Sequence, residues 1–124
     1  MPCSPFGRGF LTGRLRSIDQ LSDTDFRATN PRFAGDNLTE NLRIDDEVEA
    51  VAAEAGATPA QVALAWSLAQ GDDIAPIPGT KHVSRVEENA AADAVVLTEQ
   101  QLARLTGVPA AVGDRYDDMS RIGR

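Results

Sequence analysis

The sequence contains one cysteine, Cys3, so no internal disulfide can form, and a lone thiol suits a reducing compartment. It contains one histidine, His82, and any Ser–His or Cys–His catalytic pair would have to use it. Lys81 beside it makes a base role for that imidazole unattractive. Aromatic residues make up 5% of the chain, so its core has to be built from Ala, Val, Leu and Ile. Positive charge is scarce: 12 Lys and Arg face 19 Asp and Glu, for a net charge of −7. That balance argues against nucleic acid or an anionic membrane as partner, because both call for a basic face. No apolar run approaches the roughly 20 residues of a membrane span. The N-terminus lacks the apolar core of a secretory signal. Nor is there a cluster of His, Cys and carboxylates at metal-ligand spacing. The 124 residues suit one small, soluble, acidic domain, expected in the cytoplasm.

What the chain does have is a stretch from Ile74 to Asn89 that reads as strand, turn and helix. Ile74–Ile77 is short, apolar and bounded by turns, as in a strand covered on both faces. Pro78-Gly79-Thr80 turns the chain, and a helix follows from about Val83 to Ala92. A strand that empties into a helix N-terminus favours an anion, through the open N–H groups and the helix dipole. Lys81 and Arg85 add full charges at that place, so the stretch is expected to form half of a dinucleotide site.

Residues 1–13 hold glycines at 7, 9 and 13 and prolines at 2 and 5. Such density allows close backbone approach to a ligand, and Ser4 and Arg8 offer donors suited to phosphate oxygens. Residues 14–38 form a long polar connection, broken at Asn30-Pro31, in which a helical turn fits between Asp23 and Asn30. Its charges, among them Arg16 and Arg27, read as solvated. Residues 39–71 carry two helices. The first, from Thr39 to Ala55, sets Leu42, Ile44, Val48, Val51, Ala52 and Ala55 on one stripe and stops at Gly56. The second runs from Ala60 to about Gln70, opened by Thr58 as cap and Pro59 at the first position. It is apolar on nearly all sides and is expected to be well buried. Residues 74–92 hold the strand and the anion-binding helix. Residues 98–124 hold a last helix, about Glu99 to Leu105, with a Thr98…Gln101 capping box and then an irregular tail. Asp45-Asp46 and Asp117-Asp118 read as surface charge, and Tyr116 as a packing or surface residue. Read in this way, the residues describe a binding surface better than a catalytic centre.

The run Ser4-Pro5-Phe6-Gly7-Arg8-Gly9-Phe10-Leu11-Thr12-Gly13 resembles the SPLGRGFLTG segment of the aldo-keto reductases. Asp25-Phe26-Arg27, Asn30-Pro31-Arg32-Phe33, Gly56 through Trp66, Ile77 through Lys81, Glu87-Glu88-Asn89 and Gly113 through Tyr116 are similar to the same family in the same order. The resemblance implies an α/β fold, the C-terminal portion of a (β/α)8 barrel that is mostly helical as an isolated chain. It also implies NADPH as cofactor and a small carbonyl substrate in a complete protein. Ser4, Phe6, Gly7, Arg8 and Gly9 then resemble the pyrophosphate loop. Gly79, Thr80, Lys81 and Arg85 resemble the grip on the adenosine 2′-phosphate, and Glu88 and Asn89 the adenine contacts. These positions agree with barrel phosphate sites in the loops after strands 7 and 8, and a cation there favours NADP over NAD. Cys3 stands where the family usually has an aromatic residue, and Phe6 replaces Leu. The family's catalytic Asp, Tyr, Lys and His match no position here, and the chain resembles roughly the last third of such an enzyme. Two roles compete. One is part of an NADPH-dependent reductase; the other is a fragment that at most binds a nucleotide, or a helical interaction domain.

Overall fold

The structure, a computed structural model, describes residues 1–116, 118 and 120. Asp117 of the expected surface pair lies outside the described residues. Four helices carry the architecture: α1 (Asn37–Ala55), α2 (Pro59–Leu68), α3 (Val83–Ala91) and α4 (Glu99–Gly107).

Local signals set the helix ends. Gly56 closes α1 at φ 64°, a left-handed conformation that a Cβ would strain, and its N–H donates to the Ala52 carbonyl. Thr58 and Gln61 form a reciprocal capping box at the start of α2, with Pro59 just inside. Thr98 and Gln101 do the same for α4. α2 stops at Leu68, short of Gln70, because Gly71 and the polar residues after it offer nothing to bury.

The core has two parts. Val48, Val51 and Ala52 of α1 meet Val62 of α2. Phe10, Leu15, Phe33 and Leu38 form the second part. There the Phe10 and Phe33 rings meet edge to face, 6.1 Å between centroids and 78° between planes. α2 buries Ala60, Val62, Ala63, Leu64, Ala65 and Ser67, as its all-round apolar composition requires. α4 is fastened to α1 chiefly by Arg104, whose guanidinium reaches Glu47 at 2.6 Å and Glu54 at 2.7 Å, with half-buried Leu105 beneath.

Several expectations are corrected. No strand forms at Ile74–Ile77. Among the described residues the β pairing is a single parallel bridge between Cys3 and Ile77, with the Ile77 N–H donating to the Pro2 carbonyl at 3.1 Å. A parallel strand needs partner backbone along its length, and here only one residue finds it. The expected α/β class is therefore reduced to that bridge, while the expected helical content is observed.

Asp45 is not surface charge. It is fully buried, and Arg16 reaches it at 3.1 Å while also holding Asp46 at 2.6 Å. Burial pushes the Asp45 carboxyl above its ordinary range, against the opposing pull of Arg16. Its Oδ1 has no hydrogen-bond partner.

The stripe of α1 also differs from the apolar spacing. Asn41 and Asp45 are fully buried, whereas Leu42 and Ile44 are half-buried. Asn41 takes the inner position because it binds backbone. Its Nδ2 donates to the carbonyls of Arg32 and Val112, and its Oδ1 accepts from the Val112 N–H. In the connection 14–38 the charges Arg14, Arg16, Asp19 and Asp23 are exposed, as expected, and Asp25, Arg27 and Arg32 are half-buried, while buried Leu15, Asn30 and Phe33 and a short 3-10 turn at Phe26–Thr29 capped by Asp25 anchor the segment.

Candidate functional site

Because Cys3 and Ile77 pair, the glycine-rich loop that follows Cys3 lies beside the segment that leads into α3. The loop is a succession of tight turns. Gly7 N–H donates to the Ser4 carbonyl, and the N–H groups of Gly9 and Leu11 both donate to the Phe6 carbonyl. Turns this tight require positive φ, found at Gly7, Gly9 and Gly13 and also at Ser4 (51°) and Arg8 (62°). On the other side, α3 follows His82, whose side chain makes no capping bond, and the first-turn N–H of Arg85 donates to the His82 carbonyl at 3.1 Å.

Between the two segments lies a cleft of about 640 Å³. Ser4, Phe6, Arg8 and Gly9 form one wall, and Gly79, Thr80, Arg85, Glu88 and Asn89 form the other. Gly7 sits behind the wall as a turn residue, and Lys81 is exposed outside it. Thr12, Arg14, Arg27 and His82 also line the cleft, and sequence reasoning did not assign them to it. The Asp25-Phe26-Arg27 motif is the signal that could have found Arg27.

The electrostatics run against the rest of the chain. Four arginines, Arg8, Arg14, Arg27 and Arg85, line this cleft of a chain with net charge −7, and Glu88 is the acid among them. Arg85 donates to the Glu88 carboxylate at 2.6 Å. The two lie within one turn of α3, so the pair is preformed rather than induced. Arg27 is held by Asp25, with Nε donating at 3.0 Å and Nη2 at 2.7 Å. Those side-chain bonds, reinforced by the Arg27 N–H, hold the Asp25 carboxyl down to about 2. From that position Arg27 Nη1 reaches the Arg8 carbonyl at 3.2 Å.

The chain after α4 also reaches the loop. Arg115 Nη2 donates to the Cys3 carbonyl at 3.1 Å and lies 3.7 Å from Cys3 Sγ. The Tyr116 ring centroid is 4.4 Å from the Arg8 guanidinium carbon. The guanidiniums of Arg8 first, and of Arg115 second, pull the Tyr116 hydroxyl below its ordinary pKa. No group of three or more potential metal ligands lies together among the described residues, and no helix there is long and apolar enough to cross a membrane. Four guanidiniums beside a glycine turn give this cleft the chemistry to receive an anion.

The model of the aldo/keto reductase family matches residues 1–109. The chain belongs to the aldo/keto reductase family. Among curated relatives, the aldo-keto reductase yakc [NADP(+)] of Schizosaccharomyces pombe is 42% identical over 116 residues, covering 91% of this chain and 34% of that protein. The aldo-keto reductase str7 of Strobilurus tenacellus is 44% identical over 100 residues, covering 81% of this chain and 30% of that protein. Probable aldo-keto reductase 1 of Glycine max is 40% identical over 119 residues, covering 94% and 34%. The chain thus spans about a third of the length of the aldo-keto reductases it matches.

Proposed function

We propose that this chain is the part of an NADPH-dependent aldo-keto reductase that holds the phosphates and adenine of the cofactor, and that its helices are the closing portion of a (β/α)8 barrel. The observation that supports the reading is the four-arginine cleft in an acidic chain, formed where the glycine loop meets the start of α3.

The residues present fit the group. Ser4, Phe6, Gly7, Arg8 and Gly9 would wrap the pyrophosphate, where backbone N–H groups and a cation can approach closely. Gly79, Thr80, Lys81 and Arg85 would receive the 2′-phosphate, which gives NADPH a contact that NADH lacks. Lys81, exposed beside the cleft, would act there as a point charge, whereas Arg85 can bond two oxygens. Glu88 and Asn89 would meet the adenine. Gln61 of α2 donates to the Glu88 carbonyl at 3.1 Å, which ties that turn of α3 to a buried helix. When bound, NADPH supplies the hydride that reduces a small carbonyl compound to an alcohol. This chain's own part is binding and orientation, and it assigns no residue to the acid–base step.

Titration calorimetry of the chain with NADPH and NADH tests the reading. Binding of both, with NADPH the tighter, is expected. No binding, or equal affinity for the two, would overturn it.

A further inference from the structure

We propose that the segment after α4 is a strap that orients the Arg8 guanidinium in the cleft, with Tyr116 as the positioning residue. The proposal rests on the reading of the cleft as a dinucleotide site. Arg8 has a left-handed backbone, φ 62°, in a loop whose apolar anchors, Phe10 and Leu11, come after it. Its side chain is nevertheless held on two sides: the guanidinium carbon lies 4.4 Å from the Tyr116 ring centroid and 5.4 Å from that of Phe26. A guanidinium stacked on aromatic rings has its faces covered and its N–H edges free. Those edges are what a pyrophosphate oxygen needs. Arg8 lines the cleft, whereas Tyr116 and Phe26 lie outside its wall, so both rings act through Arg8 rather than on a ligand.

The strap is itself fixed. Asn41 holds Val112 through both its backbone groups. Arg32 Nε donates to the Gly113 carbonyl at 3.2 Å, and Asn30 Nδ2 donates to the Arg115 carbonyl at 3.0 Å. Arg115 in turn holds the Cys3 carbonyl. Arg27 secures the Arg8 carbonyl from the opposite side. Backbone and side chain of one loop residue are therefore held by separate elements, each rooted in the Asn30–Phe33 turn or next to it.

The test is calorimetric titration of NADPH and NADH against the wild-type chain, Tyr116→Ala and Tyr116→Phe, with amide hydrogen exchange followed on each protein. Tyr116→Ala should weaken both cofactors by a similar factor, roughly 3–10-fold, because the pyrophosphate is common to them. Tyr116→Phe keeps the ring face and loses only the hydroxyl on which Arg8 and Arg115 act, so it should lose clearly less affinity than Tyr116→Ala. Exchange in α1 and α2 should stay unchanged in both variants. Wild-type affinity in Tyr116→Ala would overturn the strap alone and leave the cofactor reading standing. Loss in Tyr116→Phe equal to that in Tyr116→Ala would overturn it too, since the hydroxyl would then be the active group. Faster exchange across α1 and α2 in Tyr116→Ala would assign Tyr116 to general stability and overturn its positioning role. A wild-type chain that binds neither cofactor overturns both readings together.

Discussion

Arg85→Ala separates a phosphate grip from a structural role. A hydrogen bond to a charged group is worth about 1.5–3 kcal/mol. Arg85 is already engaged, however, at 2.6 Å from Glu88, with the two side chains 30% and 17% exposed. Sharing or breaking that pair offsets part of the gain, by about 0.2–1 kcal/mol for a partly exposed i,i+3 pair. The net loss of NADPH affinity on Arg85→Ala is therefore about 0.5–2.8 kcal/mol, or roughly 2–100-fold. NADH affinity should hold, since it has no 2′-phosphate to lose. Glu88→Gln supplies the opposite sign. It keeps a hydrogen-bonding group for adenine but releases Arg85, so NADPH binding should tighten by up to about fivefold. Titration calorimetry of both cofactors against both variants reads all four numbers. Equal losses for NADPH and NADH in Arg85→Ala would mean that Arg85 supports α3 rather than a phosphate, and the reasoning would fail.

Asp45 should make an unusual contribution to pH dependence. Its carboxyl is raised by burial, so it favours the folded chain below its ordinary pKa, and that contribution is lost as pH rises through the raised value. Asp45→Asn should therefore gain on wild type most at neutral pH, and the gain should shrink toward pH 4 in urea titrations. Asp25 has the opposite sign: held at about 2, it contributes above its ordinary pKa and is lost only as pH falls toward that value. Gly113→Ala should lower thermal stability by about 1–3 kcal/mol, the scale of a strained backbone. Gly113 has φ 91°, and a Cβ there would lie 2.6 Å from the Pro31 carbonyl oxygen. The 124-residue chain should not oxidise NADPH with any aldehyde, because the family's catalytic Asp, Tyr, Lys and His match no position in it. Turnover above the buffer blank that Tyr116→Phe abolishes would refute this.

The helices were legible because their signals are local. Gly56, Thr58-Pro59 with Gln61, and Thr98 with Gln101 each act within a turn, and each appears where the residues require. The two halves of the cleft were legible as well, since glycine spacing and the cations after Gly79 belong to short stretches. The strand at Ile74–Ile77 was not, because strand formation depends on partner backbone and not on the four residues themselves. The same holds for Asn41 and Asp45. Their burial is decided by Val112, at the far end of the chain, and by Arg16, and no periodicity within α1 contains that information. Arg27 and Tyr116 entered the neighbourhood of the cleft through contacts with Arg8 from distant positions. A pattern of charges can show that a residue is polar; it does not show which other polar residue waits for it.

The attachment of α4 has a consequence for how the molecule responds to its medium. α2 is held by apolar contact, which carries no charge for salt to screen. α4 buries Gln101, sets half-buried Leu105 against the α1–α2 core, and leans on α1 through Arg104, pinned between Glu47 and Glu54 at the surface. At molar salt the screening distance shrinks to about 3 Å, close to the length of those ion pairs. Potassium chloride becomes a selective solvent for one joint of the fold, loosening the last helix while the pair beneath it stays closed.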